Sequence, residues 1–249
     1  ENNTLDSLIS VRDDHPKLLY VEGEPRWEYK FIRRSVADDP SLVVESLLRS
    51  SQNKYYRQGI AVETTLAEGF PKKKEDLFAY SGIVFGSIES TFFTLDQQNM
   101  IVDFVKERGG GFLMLGGKNS FSSGRYQNTP IADILPVDLL PDRALPVVEK
   151  VRLVLTDYGK THNLMRLSGD PATNNKIWNQ LPPLEDFNRV GEAKPGGVVL
   201  ARGDPESSGG NPILLAFQRY GRGRAMVFAT GSSWHWQMEM DHEDQTHEL

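Results

Sequence analysis

The stretch from Gly82 to Leu115 limits what this chain can fold into more than any other part of it. It reads as a short apolar strand, Gly82–Ile88, a helix, Leu95–Arg108, and a second apolar strand, Phe112–Leu115, with little chain between them. Thr94 and Gln97 are spaced as a capping box, Ile101, Val102 and Val105 share one helical face, and Gly109 stands where a left-handed stop is needed. Strand–helix–strand alternation at such short spacing predicts an α/β fold with a doubly wound, mostly parallel sheet.

The rest of the first half fits that frame. Lys17–Glu22 is a continuous apolar run, as expected of a strand covered on both faces, and Gly23-Glu24-Pro25 turns the chain. Trp27, Phe31, Ile32 and Val36 recur at helical spacing up to the stop at Asp39-Pro40. Leu42–Leu48 fits either a helix or a strand, with strand favoured because so little chain separates it from the preceding helix. Ser51–Lys74 reads as loop with a short edge element. The second half is richer in loops and in β structure: Val147–Leu155, Gly197–Ala201, Ile213–Phe217 and Ala225–Ala229 read as strands between segments rich in Gly, Pro and Asn. Only Thr173–Gln180 and Asp241–Leu249 look helical there. Residues 1–16 read as a linker from a preceding domain and 17–249 as a single domain.

Composition removes several classes of function. The chain has 28 Lys+Arg against 34 Asp+Glu, a formal charge of −6, and so offers no basic field for nucleic acid. It has no cysteine, which rules out disulfides, thiolate metal sites and a thiol nucleophile. No run approaches the roughly 18 apolar residues of a membrane span, so direct membrane insertion is not expected of this segment. Its opening, Glu1-Asn2-Asn3-Thr4, has neither the basic nor the apolar region of a signal peptide and reads as the start of an excised piece.

The motifs weaken on inspection. Gly116-Gly117-Lys118-Asn119-Ser120 is not a phosphate loop, because Phe112 stands where that loop needs glycine and Asn119 where it needs Ser or Thr. His242 and His247 are five residues apart and diverge on a helix, so no zinc pair forms; neither metal nor cofactor is expected. Ser120, Ser123, Ser232 and Ser233 lie outside any G-x-S-x-G elbow. Trp27, Tyr126, Trp234 and Trp236 read either as an aromatic platform or as packing.

Three segments together carry a resemblance. These are Leu19-Tyr20-Val21-Glu22-Gly23-Glu24-Pro25-Arg26-Trp27-Glu28-Tyr29, the run from Arg108 to Phe121 (RGGGFLMLGGKNSF), and the run from Tyr220 to Trp236 (YGRGRAMVFATGSSWHW). The chain resembles the class I glutamine amidotransferase-like domains of large bacterial membrane proteins, often found beside a von Willebrand factor type A domain. It resembles trehalose-utilisation-protein-like domains more distantly. The resemblance implies a flavodoxin-like sheet. In true amidotransferases a Cys sits in the sharp turn after a central strand and a His-x-Glu pair follows a late strand. Here the first turn is Gly116–Ser120, with Lys118 or a neighbour in the nucleophile's place, and His235 is followed two residues later by Gln237. Without a thiolate no glutamyl thioester forms, so the resemblance implies a domain without glutaminase activity and with no catalytic residues.

The expected site lies where parallel strands end. Glu22, Glu24, Arg26 and Trp27 follow the first strand, Lys118, Asn119 and Ser120 the central one, and His235 the last. If these strands are parallel the turns open on one edge, and their mixture of charges, amide and aromatic suits a small polar ligand. Neighbouring domains of the same parent are the other expected partner. Pairing of Glu22 or Glu24 with Arg26 or Lys118 merely to fix two loops is the bland reading of the same residues. A hydrolase using Ser120 or a metal, with Glu22, Asp157 or His235 as base, and a structural spacer are the alternatives. The resemblance also implies a membrane-anchored parent, with the periplasmic or extracytoplasmic side favoured.

Overall fold

The computed structural model describes residues 15–37, 39–51, 54–62, 66–142 and 144–243. Most of the expected linker, residues 1–14, therefore lies outside the described residues. In chain order the elements are β1 (Lys17–Glu22), α1 (Trp27–Ala37), β2 (Val43–Ser51), β3 (Lys54–Gln58), α2 (Lys74–Phe78), β4 (Gly82–Phe85), α3 (Leu95–Asp103) and β5 (Gly111–Leu115). Then come α4 (Pro130–Ile134), β6 (Val147–Leu155), α5 (Asp157–Thr161), α6 (Pro171–Gln180), β7 (Leu184–Phe187), β8 (Gly197–Pro205), β9 (Ile213–Tyr220), β10 (Gly223–Phe228) and α7 (Trp234–Glu243).

The ten strands among the described residues form one sheet in the order β3-β2-β1-β4-β5-β10-β9-β8-β6-β7. The molecule is α/β. The block β2-β1-β4-β5-β10 is parallel, and every other ladder is antiparallel. Five of the nine ladders among the described residues are thus antiparallel, which corrects the expectation of a mostly parallel sheet. The reason is local: a parallel pair needs a long crossover, and β8, β9 and β10 follow one another without a helix between them.

Side chains of the parallel block alternate between two layers. Leu19, Val21, Ile83, Phe85, Phe112, Met114, Ala225 and Val227 join Leu77, Ile101, Phe104, Ile131 and Ile134 in the larger core, under α2, α3 and α4. Fully burying each such Leu, Ile or Phe contributes about 1.5–3 kcal/mol. On the other face Tyr20, Leu48, Val84, Leu113 and Leu115 meet Tyr29 and Ile32 of α1. A third cluster joins β6, β7 and β8 to Trp178 and Trp236.

The expected helix Leu95–Arg108 is capped as its sequence predicts: Gln97 N–H donates to Thr94 Oγ1 at 3.2 Å and Thr94 N–H to Gln97 Oε1 at 3.0 Å. It widens into a π-helical turn over Phe104–Arg108 and ends on Gly109, with φ +84°. The C-terminal helix begins at Trp234 rather than Asp241, which puts His235 on a helix. Residues 244–249, with His247, and the side chain of His242 lie outside what is described.

Candidate functional site

Because β1, β4, β5 and β10 are parallel, the turns after them meet on one edge. Glu22, the last residue of β1, is fully buried at its centre. Its carboxylate accepts from Tyr20 Oη (2.9 Å), Gly23 N (3.1 Å), Arg26 Nε (3.0 Å) and Ser87 N (2.8 Å). Burial first, and then the Glu22 charge, hold the Tyr20 phenol well above its ordinary value. Burial opposes the Arg26 charge, but Glu22, Tyr20 and Glu28 together outweigh it and raise the guanidinium. Arg26 also reaches the turn after β5, where Nη1 donates to the Gly116 carbonyl at 2.8 Å. Its Nη2 is buried without a hydrogen-bond partner among the described residues.

Glycines let these turns close on one another. A Cβ at Gly86 would stand 2.1 Å from Glu22 Oε2. Gly117 has φ +152°, and a Cβ there would meet Ser87 Cβ at 2.7 Å and Arg26 Nη1 at 3.3 Å. Ser87 Oγ donates to Glu24 Oε1 (2.7 Å) and accepts from Asn119 N (3.1 Å), while Ser120 Oγ donates to the Gly86 carbonyl (3.2 Å). Asn188 clamps the same turn from the far side: its Oδ1 accepts from Gly117 N (2.8 Å) and its Nδ2 donates to Gly117 O (3.0 Å).

The turn after β10 is held by two carboxylates. Asp186 Oδ1 accepts from Thr230 Oγ1 (2.9 Å), Gly231 N (2.9 Å) and Ser232 Oγ (3.1 Å). Glu28, buried in α1, accepts from the Ser233 hydroxyl and from Trp234 N at 3.2 Å. Burial raises the Glu28 carboxyl above its ordinary value, although Ser233, Arg26 and the Trp234 N–H pull the other way. Trp234 stacks on Trp27, with ring centroids 5.9 Å apart, and on His235 at 3.6 Å. His235 Nε2 lies 2.9 Å from Glu185 Oε2, but out of line for a hydrogen bond.

The structure therefore brings Glu22, Glu24, Arg26, Asn119 and Ser120 together around Ser87, and places Trp27 and His235 beside them through Trp234. It does not open Glu22 to a ligand. Glu22 and Ser120 are sealed in internal bonds, which corrects the expectation that they contact a ligand: four donors close the space around Glu22, as in the bland loop-fixing reading. None of the cavities of about 660, 710 and 340 Å³ is lined by a residue of these turns. Lys118 is exposed and Trp27 is 51% exposed, so the tryptophan does not fill the crevice as core. Tyr126 is core, its hydroxyl donating to Ile88 O, and Trp236 packs on the third cluster, so neither joins a platform. Asp157 is exposed on α5 and pairs with Lys160 at 2.8 Å. Among the described residues no three His, Asp or Glu side chains are grouped to hold a metal ion.

Sequence reasoning missed Ser87, Asp186, Asn188 and Glu28. Running the strand as far as Ile88 hid the turn that carries Ser87; ending it at Phe85 would have revealed a fourth turn on the same edge.

A family model described as "Putative glutamine amidotransferase" matches residues 37–247. No curated protein matches the chain. Among solved structures, the carbohydrate deacetylase Agd3 is 12% identical over 88% of this chain and 30% of its own, with a TM-score of 0.50. The exo-β-1,4-mannosidase Op5Man5 from Opitutaceae bacterium strain TAV5 is 12% identical over 94% of this chain and 34% of its own, with a TM-score of 0.46. A β-galactosidase from Rahnella sp. R3 is 16% identical over 67% and 23%, with a TM-score of 0.39. The chain spans between 23% and 34% of the length of these proteins. At 12% identity the likeness to Agd3 is one of fold.

Proposed function

This chain belongs to the glutamine amidotransferase-like family, and we propose that within it the domain binds a ligand or partner and has no glutaminase activity. One observation carries the reading: the chain has no cysteine, and the only hydroxyl in the turn after β5, that of Ser120, is buried and donated to the Gly86 carbonyl. A nucleophile needs a base within reach, and Ser120 has a carbonyl instead.

We read the parallel block as flavodoxin-like and doubly wound. Numbered alone, its strands run 2-1-3-4-5, with α1 on one face and α2, α3 and α4 on the other. The order reverses between β1 and β4, where such sheets take their ligands, and the turns bearing Glu22 and Ser87 flank that point. With the crevice floor tied by internal bonds, the proposed contacts are on its rim: Glu24, Trp27, Lys118 and Asn119. A small polar ligand or a neighbouring domain of the same parent would seat there. The proposed setting is a larger membrane-anchored bacterial protein; no helix among the described residues is long and apolar enough to cross a membrane.

The test is glutamate release from glutamine by the purified chain, followed with a coupled assay. We expect none above a heat-killed control. Turnover that disappears in Lys118→Ala or Ser120→Ala would overturn the reading.

A further inference from the structure

One face of the sheet is left half bare. The crossovers through α2 and α3 pack on the opposite face, so that α1 covers β1 and β2 here while the lower halves of β4, β5, β10 and β9 stay open. A groove of about 710 Å³ runs across them. Its floor is one register row, Leu18–Gly82–Gly111–Arg224–Arg219, crossing β1, β4, β5, β10 and β9. The second and third positions are glycines; Leu18 Cδ2 lies over Gly82, 2.7 Å from where a Cβ would stand, so the open trough lies over Gly111, between the Leu18 side chain and Arg224. The next row on the same face, Val84–Leu113–Met226–Phe217, forms an apolar wall.

Two features say what the trough suits. Arg219 and Arg224 stand directly opposite each other on antiparallel strands, an arrangement of like charges that costs stability, and neither side chain has a partner among the described residues. Although the chain carries 34 acidic residues, no Asp or Glu among the described residues lines the groove. His162 adds a third donor at the rim: its Nδ1 accepts from Leu164 N at 3.2 Å, which leaves the proton on Nε2. Gly111 is also not required by packing. A Cβ there would meet nothing closer than Ser81 O at 3.9 Å. A strand glycine with free space above it weakens the strand and keeps the trough open.

We propose that this groove binds an amphipathic carboxylate, its apolar body lying over Gly111 against Leu18, Leu113 and Met226 and its carboxylate held between Arg219 and Arg224. Guanidinium pairs suit a planar carboxylate because they donate in parallel. The groove lies on the opposite end of the strands from the rim discussed above, so failure of either reading leaves the other standing.

The experiment is isothermal titration of the full chain with decanoate, below its micelle concentration, against decyltrimethylammonium and acetate. Decanoate should bind one per chain, the other two should not, and added salt should weaken the binding. Arg219→Gln and Arg224→Gln should each weaken it about tenfold, the order expected for a charge-assisted bond. Gly111→Val fills the trough with a strand-favouring residue, so it should abolish binding while leaving the unfolding midpoint unchanged or higher. Equal binding of decyltrimethylammonium, or indifference to all three substitutions, would overturn the proposal. So would a dimer in sedimentation that Gly111→Val dissociates, since a second copy would then be the occupant. Binding seen only after removal of residues 1–14 would likewise overturn it in favour of the chain's own N-terminal segment.

Discussion

Arg26 Nε sits 3.0 Å from Glu22 Oε2, four residues back, and the same guanidinium crosses to the Gly116 carbonyl, so one buried ion pair joins the first turn of the edge to the third. Glu22 is fully buried and the Arg26 side chain only 14% exposed. Such a pair is a modest source of net stability, but breaking it is costly, because one charge stays behind without its partner. Glu22→Gln puts an amide NH₂ among N–H donors and leaves Arg26 uncompensated, and should cost about 3–5 kcal/mol. Arg26→Met should cost less, since Glu22 keeps three other donors. The double variant should cost less than the sum of the two. Urea midpoints at constant m would measure all three; additive losses would mean that the pair does not couple.

Glu28 links α1 to the start of α7 and gives the fold a pH signature. A carboxylate beside a helix N-terminus satisfies free N–H groups there and complements the helix dipole. Burial nevertheless raises its pKa above the ordinary 4.5. A raised folded pKa means stability that is fully present below the unfolded value and lost as pH rises through the folded one. Wild type should therefore lose stability relative to Glu28→Gln from about pH 4.5 upward, whereas Gln still accepts from Trp234 N. Thermal midpoints of both proteins between pH 4 and 7 would test it. Paired carboxylates such as Glu89 have lowered values and the opposite slope, but they are common to both proteins and cancel in the difference. A difference that stays flat would show that Glu28 carries no raised pKa.

Much of the sheet was legible in the sequence. Lys17–Glu22 and Val147–Leu155 match β1 and β6 to the residue, because their apolar patterns have clear polar edges. β7 was missed: Leu184-Glu185-Asp186-Phe187 is four residues long and half acidic, and only pairing with β6 makes it a strand. α5 was missed because Asp157–Thr161 has no apolar period and is held by its Thr156 cap. The site follows the same division. The carboxyl-end rule gathers Glu22, Arg26, Asn119 and Ser120 because it depends only on strand direction. It is silent on Asp186 and Asn188, which reach the edge from β7 and the residue after it, far along the sheet order. Sequence also cannot say that Glu22 is enclosed, since enclosure comes from Ser87 and Tyr20 meeting it in space.

The last prediction concerns cooperativity. Residues 17–249 should unfold in one step, because the late strands complete the early core instead of building their own. β10 lies between β5 and β9 in the sheet, so a chain cut near residue 145 would leave β5 with an unpaired edge. Ala225 and Val227 of β10, and Ile213 and Ala216 of β9, belong to the same apolar cluster as Leu19, Phe85 and Met114. Asn188, bound to Gly117, and Glu28, which accepts from the Ser233 hydroxyl and Trp234 N, add polar ties across the same division. Far- and near-ultraviolet circular dichroism should follow one thermal transition, and tryptophan fluorescence should coincide with both. Trp27 and Trp234 come from opposite ends of the chain and stack, so their signal reports directly on whether the two ends part together. Two resolved transitions, or a protease-resistant fragment ending near residue 145, would instead show that the second half folds as its own unit.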